Sequence, residues 1–174
     1  MVWAASQLDY RQNLAASNLR RPNGRSGLIG VLMQDVGNNY SATLVADPSL
    51  VVADLRSVED AQRATTQLLD LPQPPTAVLA LRNVLSVGAL RALRSRRLQY
   101  EVALVGFDDF PLANLMDPPL TTVRQELPLI GEHVARLVFA RLDGDTSPAQ
   151  SIVVPHTLVP RGSGEISPRG SSGA

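Results

Sequence analysis

Residues 76–109 read "TAVLALRNVLSVGALRALRSRRLQYEVALVGFDD". Two short apolar runs, "TAVLAL" (76–81) and "VALVG" (102–106), bracket a longer amphipathic stretch. Leu85, Ala89, Ala92 and Leu93 recur at helical spacing. Arg94, Arg96 and Arg97 follow near the negative end of that helix. Strand–helix–strand with all-apolar strands predicts a parallel pair joined by a crossover helix. The second strand runs out into two adjacent acids, Asp108 and Asp109. In open α/β sheets ligands sit beyond the C-terminal strand ends, so these acids are candidates for a site. Neighbouring side chains there point to opposite faces, which argues against an acid–base dyad. One acid is expected to face a crevice and the other to support the turn. The competing reading is that both serve only as turn and cap residues.

The alternation extends outward in both directions. "LVVAD" (50–54) predicts a strand. Ser57 to Leu71 predicts a helix, with Ser57 and Asp60 forming a capping box and Val58, Ala61, Thr65, Leu68 and Leu69 on one face. Pro72 ends it. A helix is expected at about 128–142, with Ile130, Val134, Leu137, Val138 and Leu142 on one stripe and Gly144 as its stop. "SIVVP" (151–155) reads as a late strand, and the Gly/Ser-rich tail from Gly162 as unstructured. "GLIGVLM" (27–33) is a continuous apolar run and reads as a buried strand. The fold class is therefore α/β, a mostly parallel sheet flanked by helices. A short helical stretch near 13–19 precedes the linker-like "RRPNGRSG" (20–27).

Composition narrows the function. The chain has 174 residues, 44% hydrophobic and 18% charged, with no cysteine and zero formal net charge. Disulfides, thiolate catalysis and Cys-ligated metal are excluded. All 16 basic residues are arginine, so a P-loop lysine and a Schiff base are excluded as well. Residues 1–25 hold Arg11, Arg20, Arg21 and Arg25 against Asp9 alone. That is a small basic footprint for phosphate. His133 and His156 have no partner at metal spacing, and no Gly-rich phosphate loop or nucleophile elbow occurs. The expectation is a non-enzyme with no cofactor and no metal. No apolar run reaches membrane-spanning length and no secretory signal is evident, so the expected location is the cytoplasm.

Residues 74–125, "PPTAVLALRNVLSVGALRALRSRRLQYEVALVGFDDFPLANLMDPPLTTVRQ", resemble the effector-binding core of the lactose-repressor (LacI) family of bacterial transcription regulators. "LDYRQNLAASNLRR" (8–21) resembles the segment joining that family's DNA-binding headpiece to its core. "GLIGVLMQDVGNNY" resembles the core's first strand and loop, and "VVPHTLVPRGS" its last strand and end. "LVPRGS" (158–163) also spells a thrombin-cleavage sequence and is read as native. The resemblance implies the C-terminal subdomain of a periplasmic-binding-protein-like (type 1) core. It divides the chain into a headpiece and hinge remnant (1–26), an incomplete effector-binding core (27–163) and a tail (164–174). It also implies that the major-groove reading helix and most of the N-terminal subdomain are missing. Residues 50–160 are then expected to pack as one unit, with the strand at 27–33 apart from it or on an edge.

The resemblance assigns roles residue by residue. Leu19 matches the hinge leucine that wedges into the minor groove. Ala15 and Ala16 match small residues of close approach. Asn13 and Arg20 complete the implied hinge contacts with operator DNA, given a headpiece and a homodimer. Asp108 matches a position that hydrogen-bonds a sugar or other polar ligand. Arg82 and Asn83 stand where an Asn-Asp pair is usual, and Leu55 where an aromatic platform is common. Asp35 and Asn38 are the candidates from the opposite wall. An Arg82–Asp108 ion pair filling the crevice is expected. The implied function is effector-controlled regulation of transcription, and the departures favour a ligand-free site. The alternative is a remnant α/β module that neither reads DNA nor binds effector, at most a dimerisation or interaction surface.

Overall fold

The computed structural model of the chain describes residues 27–34 and 48–167. In chain order its elements are β1 (Ile29–Leu32), a short 3₁₀ turn (Pro48–Leu50), β2 (Val51–Val52), α1 (Val58–Leu69), β3 (Ala77–Ala80), α2 (Asn83–Ser95) and β4 (Ala103–Phe107). A second 3₁₀ turn (Ala113–Leu115), β5 (Thr121–Gln125), α3 (Leu127–Leu142) and β6 (His156–Val159) follow. The six strands form one sheet in the order β2-β1-β3-β4-β5-β6. Strands β1 to β5 are parallel, and β6 closes the sheet antiparallel to β5.

β1 departs from the expectation. It lies inside the sheet, hydrogen-bonded to β2 on one side and β3 on the other, with Val31 opposite both Val51 and Leu79. The reason is in its composition. Leu32 and Met33 are almost wholly buried. An uninterrupted apolar run with an unpaired backbone on either side is best satisfied in the interior of a parallel sheet.

α1 and α2 pack against each other and against the sheet, their crossing closed at Gly88. Ala61, Ala64 and Leu68 of α1 meet Leu85, Ala89 and Leu93 of α2 over Leu32, Val78, Ala80 and Leu104. Gly30 and Gly106 stand where the sheet comes closest to Leu68 and Ser86. The capping box at α1 forms as expected: Asp60 N–H donates to Ser57 Oγ (3.0 Å), and Ser57 N–H to Asp60 Oδ2 (3.0 Å). Thr65, fully buried, donates its hydroxyl to the Ala61 carbonyl.

α3 forms where the periodicity put it, but it buries none of its residues. Val134, Val138, Phe139 and Leu142 are all more than half exposed. The last strand also differs from the expectation: 151–155 is irregular, and the ladder with β5 begins at His156. Val153 is 91% exposed. A β-branched run becomes a strand only where a neighbour offers hydrogen bonds, and β5 offers them to 156–159. The start of the tail is packed rather than loose. Ser163 is buried; its hydroxyl donates to the Leu104 carbonyl and accepts the Thr121 N–H.

Candidate functional site

β4 ends at Phe107, and the next residue leaves the strand direction. Asp108 has φ 69°, in the left-handed region that aspartate tolerates better than most side chains. Its N–H still donates to the Val123 carbonyl at 3.0 Å, so the turn is anchored to β5. The chain then doubles back through Asp109, Phe110 and Pro111 toward the 3₁₀ turn. Between this loop and the ends of β5 and α3 opens a cleft of about 1000 Å³. Asp108, Asp109, Asn114, Gln125, Glu126 and Arg161 are among its walls.

The two acids have different partners. Asp108 Oδ1 accepts a hydrogen bond from the Gln125 side-chain amide. Among the described residues Asp108 Oδ2 accepts none. Asp109 is gripped by Arg161: Nη1 donates to Oδ1 and Nη2 to Oδ2, both at 2.8 Å. The Thr122 hydroxyl (3.0 Å) and the Phe110 N–H (3.1 Å) also donate to Asp109 Oδ1. Both side chains of the ion pair are 19% exposed. The Arg161 guanidinium, helped by Thr122 and the Phe110 N–H, holds the Asp109 carboxyl below its usual range against the opposing effect of burial. Asp109 in turn raises Arg161. Arg161 Nη1 also lies within hydrogen-bond distance of the Leu120 carbonyl and the Thr122 hydroxyl.

The other expected site residues lie elsewhere. Leu55 is buried in the core, its N–H bonded to the Met33 carbonyl. Arg82 precedes α2 and donates to Gln34, not to Asp108, so the expected Arg82–Asp108 pair is absent. Asn83 is the first residue of α2, and its side-chain oxygen accepts the Val84 N–H at 2.7 Å. None of the three lines the cleft. Asp35 and Asn38, with Asn13, Ala15, Ala16, Leu19 and Arg20, fall outside the described residues. His156 packs against the Phe107 ring at 5.7 Å between centroids. Among the described residues no group of His, Asp or Glu could hold a metal ion, and no helix is long and apolar enough to cross a membrane. Sequence reading missed Gln125 and Arg161. A polar residue closing the β-branched run 121–123 was the signal for Gln125. Arg161 gave none, since its partner is 52 residues away.

A parallel sheet whose C-terminal strand ends open into a polar crevice defines a class, the ligand-binding α/β cores. The profile of the periplasmic binding protein-like domain matches residues 27–164. The chain is 33% identical over 144 residues to the HTH-type transcriptional regulator reg1 of Streptomyces lividans, covering 82% of this chain and 41% of that one. A regulatory protein of the LacI family from Chloroflexus aggregans superposes with TM-score 0.66 and 25% identity, over 86% of this chain and 59% of that one. A transcriptional regulator CelR–cellobiose complex does so with TM-score 0.66 and 28% identity, over 79% and 47%. The chain belongs to the periplasmic binding protein-like family, in its LacI-regulator branch. It spans less than half the length of the curated relative reg1.

Proposed function

We propose that this chain is the effector-binding part of a cytoplasmic LacI-type transcription regulator and that the β4–β5 cleft takes a small polyhydroxylated ligand. One observation carries the reading: Asp108 stands at the cleft beside the Gln125 amide, and among the described residues its Oδ2 accepts no hydrogen bond. A carboxylate and an amide together accept and donate to neighbouring hydroxyls, which suits a sugar or the ribose of a nucleoside. The cellobiose bound by CelR supports the sugar class. Asp109 also borders the cleft, but its carboxylate is paired with Arg161. The reading is of binding: among the described residues no group of His, Asp or Glu at the acids could hold a metal ion.

In the same proposal the segment 8–21 is the hinge. Leu19 wedges into the minor groove of an operator, Ala15 and Ala16 allow close approach, and Asn13 and Arg20 contact the backbone. The hinge acts when a headpiece and a second subunit order it, because a helix this short is marginal alone. Regulation is the coupling of cleft occupancy to that DNA contact. One observation favours the alternative, a module without effector: Leu55, Arg82 and Asn83 are taken up by the fold itself. A thermal-shift panel of mono- and disaccharides and purine nucleosides separates the two. A ligand at about 100 times its Kd stabilises by roughly 2.7 kcal/mol and raises Tm accordingly. No shift with any of them leaves the module reading.

A further inference from the structure

We propose that Arg161 is the positioning residue of the cleft: by gripping Asp109 with both guanidinium nitrogens it fixes the turn that aims Asp108. Asp109 has no geometric freedom left, since Arg161, Thr122 and the Phe110 N–H hold both its oxygens. Asp108 precedes it directly, in a left-handed conformation that persists only where the surroundings over-determine it. The grip is supplied by the segment just after β6, which is anchored further along through Ser163 to Leu104 and through Glu165 to Thr121. A loop at a site's mouth is thus tied to the segment that follows the last strand of the sheet. Loss of the tie frees Asp108 to turn and separates it from Gln125. The meaning of the inference rests on the cleft being an effector site. Its test uses no ligand, so a failed ligand titration leaves it standing.

Nuclear magnetic resonance of the full chain reads the tie. The Gln125 side-chain amide signals report its bond to Asp108, and Asp108→Asn marks where they fall when that bond changes. Arg161→Gln is expected to move them most of the way to that mark, and Arg161→Lys to move them less, because lysine keeps the charge without the fork. Unmoved Gln125 signals in a folded Arg161→Gln chain overturn the proposal: Arg161 then only shields Asp109. Where Arg161→Gln does not fold, Asp109→Asn keeps the shape and loses the charge, and the same signals decide. Thrombin provides a second readout. The "LVPRGS" sequence (158–163) places the cut after Arg161, which the folded chain clasps. The native chain is expected to resist, and Asp109→Asn to be cut about tenfold faster, since proteolysis follows the population of the open form. Equal rates, or native cleavage as fast as that of the free peptide, contradict the grip.

Discussion

Replacing Gly88 by alanine adds one methyl to the middle of α2, where α1 crosses it. That Cβ would overlap the Val58 carbonyl oxygen outright, and it would lie 2.6 Å from Ala61 Cβ and 2.9 Å from the Gln62 nitrogen. Two of these three atoms are α1 backbone, so no rotamer change relieves the clash. Helix propensity alone favours alanine by about 1 kcal/mol. Overpacking costs about 1–3 kcal/mol, and contact with backbone puts this site at the upper end. The clash wins, with a net loss of about 2 kcal/mol. For a chain of this size each kcal/mol moves Tm by about 2–4 °C, so Tm should fall by about 4–8 °C. Gly131, in α3, is the control: nothing lies within 4 Å of an added Cβ. Only the propensity term remains there, and Gly131→Ala should leave Tm unchanged or raise it. Thermal unfolding followed by far-UV circular dichroism measures both. A neutral or stabilising Gly88→Ala would mean that α1 and α2 do not cross at this distance.

Asp109 should make stability pH-dependent in a defined direction. Its folded carboxyl titrates below the ordinary 3.8, so its contribution is complete above that value and disappears as pH falls through the lowered one. The stability difference between the native chain and Asp109→Asn, from urea unfolding, should be large at pH 6 and vanish toward pH 2; a constant difference would exclude the ion pair as its source. Ser57→Ala removes the α1 cap and should cost about 1 kcal/mol by the same measurement, with no loss if the box does not form in solution. Leu93→Ala, in the α1–α2 core, should cost about 2–5 kcal/mol, whereas Val138→Ser on the exposed α3 should change stability by less than about 0.5 kcal/mol. Equal costs would place α3 against a packed surface.

The strands and helices between residues 50 and 107 were legible because each carries its own signal, whereas β5 (Thr121–Gln125) was not read as a strand. "TAVLAL" and "VALVG" are apolar over strand length, and the α2 periodicity names the same leucines and alanines that are buried. Ser57 and Asp60 mark the start of α1 at the residue where it occurs. What composition does not encode is pairing. "GLIGVLM" was legible as a strand, but its seat between β2 and β3 depends on partners 20 and 48 residues further on (Val31 with Val51 and with Leu79). "SIVV" has stronger β character than "HTLV", yet the register with β5 selects the latter. At the site, the position of Asp108 and Asp109 after a strand was legible, but strand alternation does not separate them: Asp108 has already left the strand and both border the cleft. The clasp on Asp109 was not legible, because Arg161 lies 52 residues further along the chain.

Isothermal titration calorimetry at the cleft tests the central claim most directly. Cellobiose, sucrose, glucose and adenosine are titrated into the native chain and into Asp108→Ala. The account predicts micromolar binding of at least one polyhydroxylated compound by the native chain. Removing the carboxylate should weaken it by about tenfold or more, since a hydrogen bond to a charged group contributes about 1.5–3 kcal/mol. Binding that is equally tight in Asp108→Ala, or absent for every compound, would contradict it.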